Sequence, residues 1–115
     1  MTSGGHFHDT IVALATPNGI GAIGVIRLSG EDAVRICNGV FSKDILNAAG
    51  YSMHYGRIQE GIKVLDEVVV SVYRNPRSYT GEDVVEVACH GSPYILQSVV
   101  QCFIRQGARA AKEGE

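Results

Sequence analysis

Apolar residues fall in short runs separated by glycine, proline and charged residues, and the period of each run predicts its element. Thr10 to Thr16 is a mostly apolar stretch closed by Pro17-Asn18-Gly19. Proline presets φ, and asparagine and glycine tolerate positive φ, so a strand followed by a turn is expected. Ala22 to Ser29 continues rich in β-formers, with Ile23, Val25, Ile26 and Leu28. Ser29-Gly30-Glu31-Asp32 then supplies a polar cap with acids where the helix dipole favours them. This predicts a helix from about Glu31 to Phe41 that buries Val34, Val40 and either Ile36 or Cys37.

Ser42 to Gly50 has no clean period and reads as a connection. Tyr51 to Gln59 and Glu67 to Tyr73 read as paired strands on either side of a bend over Gly61 to Asp66. Arg74 to Asp83, broken by Pro76 and Gly81, is a loop that delivers the chain into a strand at Val84 to Cys89. Ser92-Pro93 opens a helix with proline at its favoured first position. That helix should reach about Gln106, with Ile95, Val99, Cys102 and Phe103 on one face and Gly107 as the left-handed residue just past its end. Ala108 to Ala111 forms a last short strand. The order β-β-α-β-β-β-α-β, with neighbours joined by short turns, predicts an α+β fold: a mixed β-sheet with flanking helices rather than a parallel βαβ series.

A length of 115 residues suits one domain, and 45 % apolar with 19 % charged residues excludes a disordered or low-complexity chain. Ten basic against 12 acidic residues, with no Lys/Arg run, lack the electrostatic footprint of an independent nucleic-acid binder. The apolar runs fall far short of the roughly 20 residues a membrane span needs. The first nine residues have neither the basic start nor the apolar stretch of a secretory signal. A cytoplasmic address without a membrane partner is therefore expected, with residues 1–8 a flexible lead into a domain over 9–115. Cys37, Cys89 and Cys102 are odd in number, have no CxxC spacing and sit in apolar segments, as expected of reduced, buried thiols.

Several local patterns suggest chemistry that their context does not support. Gly19, Gly21 and Gly24 spell a dinucleotide fingerprint, but Val25-Ile-Arg-Leu is β-prone where the fingerprint needs a helix. No phosphate-cradling GxxxxGK[ST] loop occurs, so this chain alone should hydrolyse neither GTP nor ATP. His6 and His8, or Cys89-His90 with His54, do not reach the ligand count and spacing of a zinc site, so no metal is expected. Cys89 and His90, adjacent on a strand, point to opposite faces and do not form a nucleophile and base. Ser29, Ser78 and Ser92 lack a nucleophile elbow.

Two charges inside strands are more informative. Glu86 lies between Val84-Val85 and Val87-Ala88, and Arg27 between Val25-Ile26 and Leu28. Each must be solvated on an outer face, pair with the other, or serve a small polar site where a carboxylate accepts from a heterocycle's N–H groups and a guanidinium meets a carboxylate or carbonyl.

Asp9-Thr-Ile-Val-Ala-Leu-Ala-Thr-Pro17, Gly21-Ala-Ile-Gly-Val-Ile-Arg-Leu-Ser-Gly30, Ser78-Tyr-Thr-Gly-Glu-Asp-Val-Val-Glu86 and Cys89-His-Gly-Ser-Pro93, in that order, resemble the amino-terminal domains of the tRNA-modification GTPases MnmE, also called TrmE. The resemblance runs from about Asp9 to Glu115. It implies a fold similar to the folate-binding domain of aminomethyltransferase-type proteins and a domain that binds 5-formyl- or 5,10-methylene-tetrahydrofolate and forms a homodimer. It also implies that Arg27 and Glu86 are the folate-binding positions, with no catalytic residue in this part. In the family, a helical domain and a GTP-binding domain that uses Mg2+ and K+ follow. The whole enzyme works with the FAD-dependent partner MnmG (GidA) on C5 of the wobble uridine of tRNA. By that resemblance the chain is a fragment, and a further folate contact and the family's cysteine motif lie beyond Glu115. The alternative is a purely structural dimerisation module in which Arg27 and Glu86 form an internal ion pair.

Overall fold

In the computed structural model, which describes residues 9–16, 21–75 and 82–115, the elements run β1 (Ile11–Leu14), β2 (Ile23–Ser29), α1 (Ala33–Asn38), β3 (Ser52–Glu60), β4 (Lys63–Tyr73), β5 (Val84–His90), α2 (Pro93–Arg105) and β6 (Arg109–Ala110). The strands form one six-stranded sheet in the order β3-β4-β5-β2-β1-β6. Every pairing is antiparallel except that of β1 with β6, so the sheet is mixed and the α+β expectation holds. The turn expected at Pro17-Asn18-Gly19, the lead at residues 1–8 and the loop breakers Pro76 and Gly81 lie outside the described residues.

Strand alternation divides the sheet. Val12, Ile26, Leu28, Val85, Val87, Cys89, Val68, Val70, Val72 and Ile58 point to one side and are buried there with Val34, Ile36 and Cys37 of α1 and Leu96, Val99, Cys102 and Phe103 of α2. Both helices thus cover the same face, as a sheet with one apolar side requires. Ser92 caps α2 by accepting from the Ile95 backbone N–H at 3.4 Å, with Pro93 at the first turn. Gly107, at φ +118°, turns the chain out of that helix toward β6. Gly24 of β2 lies directly under α2, and a Cβ there would stand 2.6 Å from the Leu96 side chain, so the missing side chain is what lets the helix settle on the sheet.

The structure corrects two boundaries and one buried position. The first helix spans only Ala33–Asn38, because Phe41 has already left it to bridge Ile58, and Val40 accepts from the Gln59 backbone N–H at 2.8 Å. The bend expected over Gly61 to Asp66 is a two-residue turn at Gly61-Ile62, with Gly61 at φ +58°, and β4 begins at Lys63. A register shift follows at once: Ile58 opposes Asp66 while Gln59 opposes Val64, leaving Leu65 as the extra residue of a bulge. On α2 it is Leu96 rather than Ile95 that is fully packed, Ile95 lying partly buried at the margin of the stripe.

Candidate functional site

Among the described residues, the second face of the sheet carries no helix. Its side chains form rows across the strands. Arg27 opposes Glu86, Glu86 opposes Ser71 and Ser71 opposes Met53; one step along, Val25 opposes Ala88, Ala88 opposes Val69 and Val69 opposes Tyr55. Met53, Tyr55 and Ile23 stand out at 71 %, 58 % and 64 % exposure. With half-buried Val25, Val69 and Ala88 between them, they form an apolar strip of the kind that marks binding surfaces.

Arg27 and Glu86, the two charges singled out in the sequence, meet at the centre of this face. The cross-strand register places them opposite one another, and Arg27 Nε donates to Glu86 Oε2 at 2.9 Å while Nη2 lies 2.8 Å from the same oxygen. Both contacts converge on Oε2, so Oε1 keeps its capacity to accept. The pair is only partly shielded, with side chains 37 % and 29 % exposed. A shared hydrogen bond and mutual charge hold the two groups in place, and Glu86 Oε1 is the carboxylate oxygen that the pairing with Arg27 leaves over.

A second polar group stands at the end of the same strand. Asp66, side chain 7 % exposed, accepts from the His90 backbone N–H at 2.7 Å and faces His90 Nδ1 at 2.7 Å. Plain alternation along β4 sets Asp66 in phase with Val68, Val70 and Val72 on the covered side, beside the end of β5. A carboxylate only accepts, so Nδ1 is assigned the proton and Nε2 of the exposed ring is left for another partner. Between His90 and Tyr55 lies a hollow of about 170 Å³ with Val69 and Ala88 along its floor and Ile23 on its rim. The Tyr55 hydroxyl donates to Glu67 at 3.1 Å, and that bond, with the negative charge of Glu67, raises the phenol's pKa.

Other sequence candidates are not brought together. Cys89 is buried and His90 exposed, on opposite faces as alternation requires. The three thiols are free and buried. Burial, and next the Asp66 carboxylate, push Cys89 up to about 12, and burial followed by Glu60 pushes Cys102 up to about 12. Of the glycine fingerprint, Gly21 and Gly24 lead into a strand rather than a helix, and Gly19 lies outside the described residues. His54 bonds Ser52 at 2.9 Å, Ser29 bonds Glu82 at 3.0 Å and Ser92 is a helix cap, while His6, His8 and Ser78 lie outside the described residues. Among the described residues no group of three or more His, Cys, Asp or Glu side chains could hold a metal, and no helix is long and apolar enough to cross a membrane. The sequence does not announce the Asp66–His90 pair, since Gly61 to Asp66 reads as a bend; the even spacing of Asp66 from Val68, Val70 and Val72 is the signal of an acid on the covered face.

The family described as the N-terminus of the GTP-binding protein TrmE matches residues 10–115. Among curated proteins, "tRNA modification GTPase MnmE" of Cytophaga hutchinsonii is 55 % identical over 108 residues, covering 93 % of this chain and 24 % of its own length. The proteins of the same name from Flavobacterium psychrophilum and Streptococcus thermophilus are 50 % and 47 % identical, over 95 % and 93 % of this chain. The chain spans about a quarter, 24 %, of the length of each of these relatives.

Proposed function

The chain belongs to the TrmE N-terminal family, and from that premise we propose that it is the tetrahydrofolate-binding and homodimerising domain of a GTPase that modifies C5 of the wobble uridine of tRNA. The observation that carries the reading is the Arg27–Glu86 pair at the centre of the uncovered sheet face, with Glu86 Oε1 still able to accept. The residues present fit a reduced folate: a carboxylate oxygen suits the adjacent ring N–H groups of a pterin, the guanidinium suits a carbonyl or formyl oxygen, and Val25, Ala88 and Val69 offer an apolar floor. Bound there, 5-formyl- or 5,10-methylene-tetrahydrofolate supplies a one-carbon unit, and the chain's own contribution is to anchor and orient the heterocycle. In this reading the fold is a counterpart of the folate-binding domain of aminomethyltransferase-type proteins.

Dimerisation follows from the same face. The hollow of about 170 Å³ is smaller than the roughly 300–1,000 Å³ of pockets that enclose ligands of this size. A second surface must close over it, and a second copy of the chain provides one by two-fold symmetry. GTP, Mg2+ and K+ belong to a nucleotide-binding part of the whole protein, since no phosphate-cradling loop occurs here. tRNA and an FAD-dependent partner similar to MnmG are assigned to the whole cytoplasmic enzyme.

A structural reading has one observation in its favour, because Arg27 and Glu86 already pair with each other. Calorimetric titration with 5-formyltetrahydrofolate separates the two. Folate binding predicts saturation at one ligand per chain and, for loss of a charge-assisted hydrogen bond of about 1.5–3 kcal/mol, an affinity roughly ten- to a hundredfold lower in Glu86→Gln. Equal affinity in the wild type, Glu86→Gln and Arg27→Ala, or no binding by a folded dimer, supports the structural module instead.

A further inference from the structure

The Asp66–His90 pair and the hollow beside it remain unused by the Arg27–Glu86 anchor. His90 lies four residues beyond Glu86 on β5, on the same face, which sets the two stations about 13 Å apart at the usual rise of a strand. The residue between them on that face is Ala88, with Val25 and Val69 as its cross-strand neighbours. A small side chain between two larger apolar neighbours leaves a depression, and Tyr55 and Ile23 wall it. An engineered apolar cavity of about 150 Å³ takes one benzene ring, so a hollow of about 170 Å³ suits one six-membered ring and little more.

His90 is built as a fixed hydrogen-bonding group at the edge of that hollow. Its ring is held through Nδ1, and its backbone through N–H, by a single buried carboxylate. Nε2 is the ring atom left over, on a side chain 68 % exposed. In either protonation state Nε2 suits an amide, accepting from its N–H when neutral and donating to its carbonyl when charged. The surrounding charge argues against a carboxylate as the partner: Asp66 is on His90, and Glu67 lines the hollow, bonded to Tyr55 and cross-strand from Arg57.

We infer that the Ala88 hollow and His90 form a second subsite of the open face, which seats a single aromatic ring bearing a carboxamide. The inference rests on the folate reading for the identity of the whole ligand, whose aminobenzoyl ring and amide have this chemistry and lie on the far side of the molecule from the pterin. Glu86 then takes the heterocycle, the Ala88 hollow the aryl ring and His90 the amide.

The test uses p-aminobenzoyl-glutamate, which lacks the pterin, as the probe. Nuclear magnetic resonance titration of the 115-residue chain is expected to move the signals of Ala88, Val69, Ile23, Tyr55 and His90 saturably. Ala88→Leu, which fills the hollow from a face with no helix against it among the described residues, is expected to abolish the saturable shifts. His90→Ala should weaken binding about three- to tenfold, as for one hydrogen bond. The spectrum of each variant reports in the same experiment whether it is folded. Absence of saturable shifts in the wild type, or shifts that persist undiminished in folded Ala88→Leu, overturns the subsite. Titration with intact 5-formyltetrahydrofolate separates the two levels. Binding that depends on Glu86 yet leaves Ala88 and His90 unmoved removes the subsite and keeps the folate reading, whereas no binding removes both.

Discussion

On β5, Val85, Val87 and Cys89 turn inward at no more than 3 % exposure, while Glu86, Ala88 and His90, interleaved with them, look out from the other side of the sheet. The same contrast repeats on β4, where Val68, Val70 and Val72 alternate with Glu67, Val69 and Ser71, and on β2, where Ile26 and Leu28 flank Arg27. One face meets two helices and excludes water. The other has no helix against it among the described residues, is covered only at its Ser29 and Val84 end, and gathers an ion pair, a carboxylate-held imidazole and an apolar strip. The comparison teaches that the fold rests on one side of the strands and leaves the other free to specialise: a change on the helix side is paid in stability, a change on the open side in binding.

The contrast is sharpest for large side chains. Phe103, the fully buried aromatic ring that α2 turns toward the sheet, should cost about 3–5 kcal/mol of stability on substitution by alanine, the range for deleting a packed aromatic ring. Denaturant unfolding checks this, and a loss below 1 kcal/mol would mean that the helix face is not the seat of stability. Gly91 tests the junction of the two faces. A Cβ there would come 2.0 Å from the Gly21 carbonyl oxygen, a backbone atom that does not swing aside. Gly91→Ala should therefore cost about 1–3 kcal/mol, as overpacking does, and should also disturb the neighbouring His90 signals.

Glu86→Gln should leave stability within about 1 kcal/mol of wild type, because partly exposed ion pairs contribute little, while its effect on folate affinity is much larger. Equal effects on both would erase the distinction between the faces. The smallest perturbation is chemical rather than mutational. Cys89 and His90 are neighbours in sequence but lie on opposite faces. With Cys89 and Cys102 held near 12, mainly by burial, a thiol reagent at pH 8 should leave the native chain unlabelled. Under the same conditions diethylpyrocarbonate should modify His90 at its exposed Nε2. Prompt labelling of Cys89 would place it on the open side.

Much of this division is legible in the sequence, because strand alternation is a period-two signal that β4 obeys from Asp66 and β5 from Val85. The Val-Val-Glu-Val-Ala-Cys run announces both the inward valines and the outward Glu86, and the awkwardness of Arg27 in an apolar strand anticipates its partner. What eluded the sequence depends on contacts distant along the chain. The first helix stops early because Phe41 pairs with Ile58, 17 residues on. β4 starts at Lys63 because a single glycine with positive φ closes the hairpin and the Leu65 bulge absorbs the mismatch. Asp66 meets His90 24 residues on, a contact that no local pattern specifies.

The central claim is that the open face binds and the covered face folds, and methyl-resolved resonance spectra of the chain titrated with 5-formyltetrahydrofolate address it most directly. Ile23, Val25, Val69 and Ala88 lie on one side and Ile26, Val87 and Val99 on the other. Saturable shifts confined to the first group, and lost in Glu86→Gln, are the predicted result. Shifts centred on the second group, or none in either with the chain folded, would contradict it.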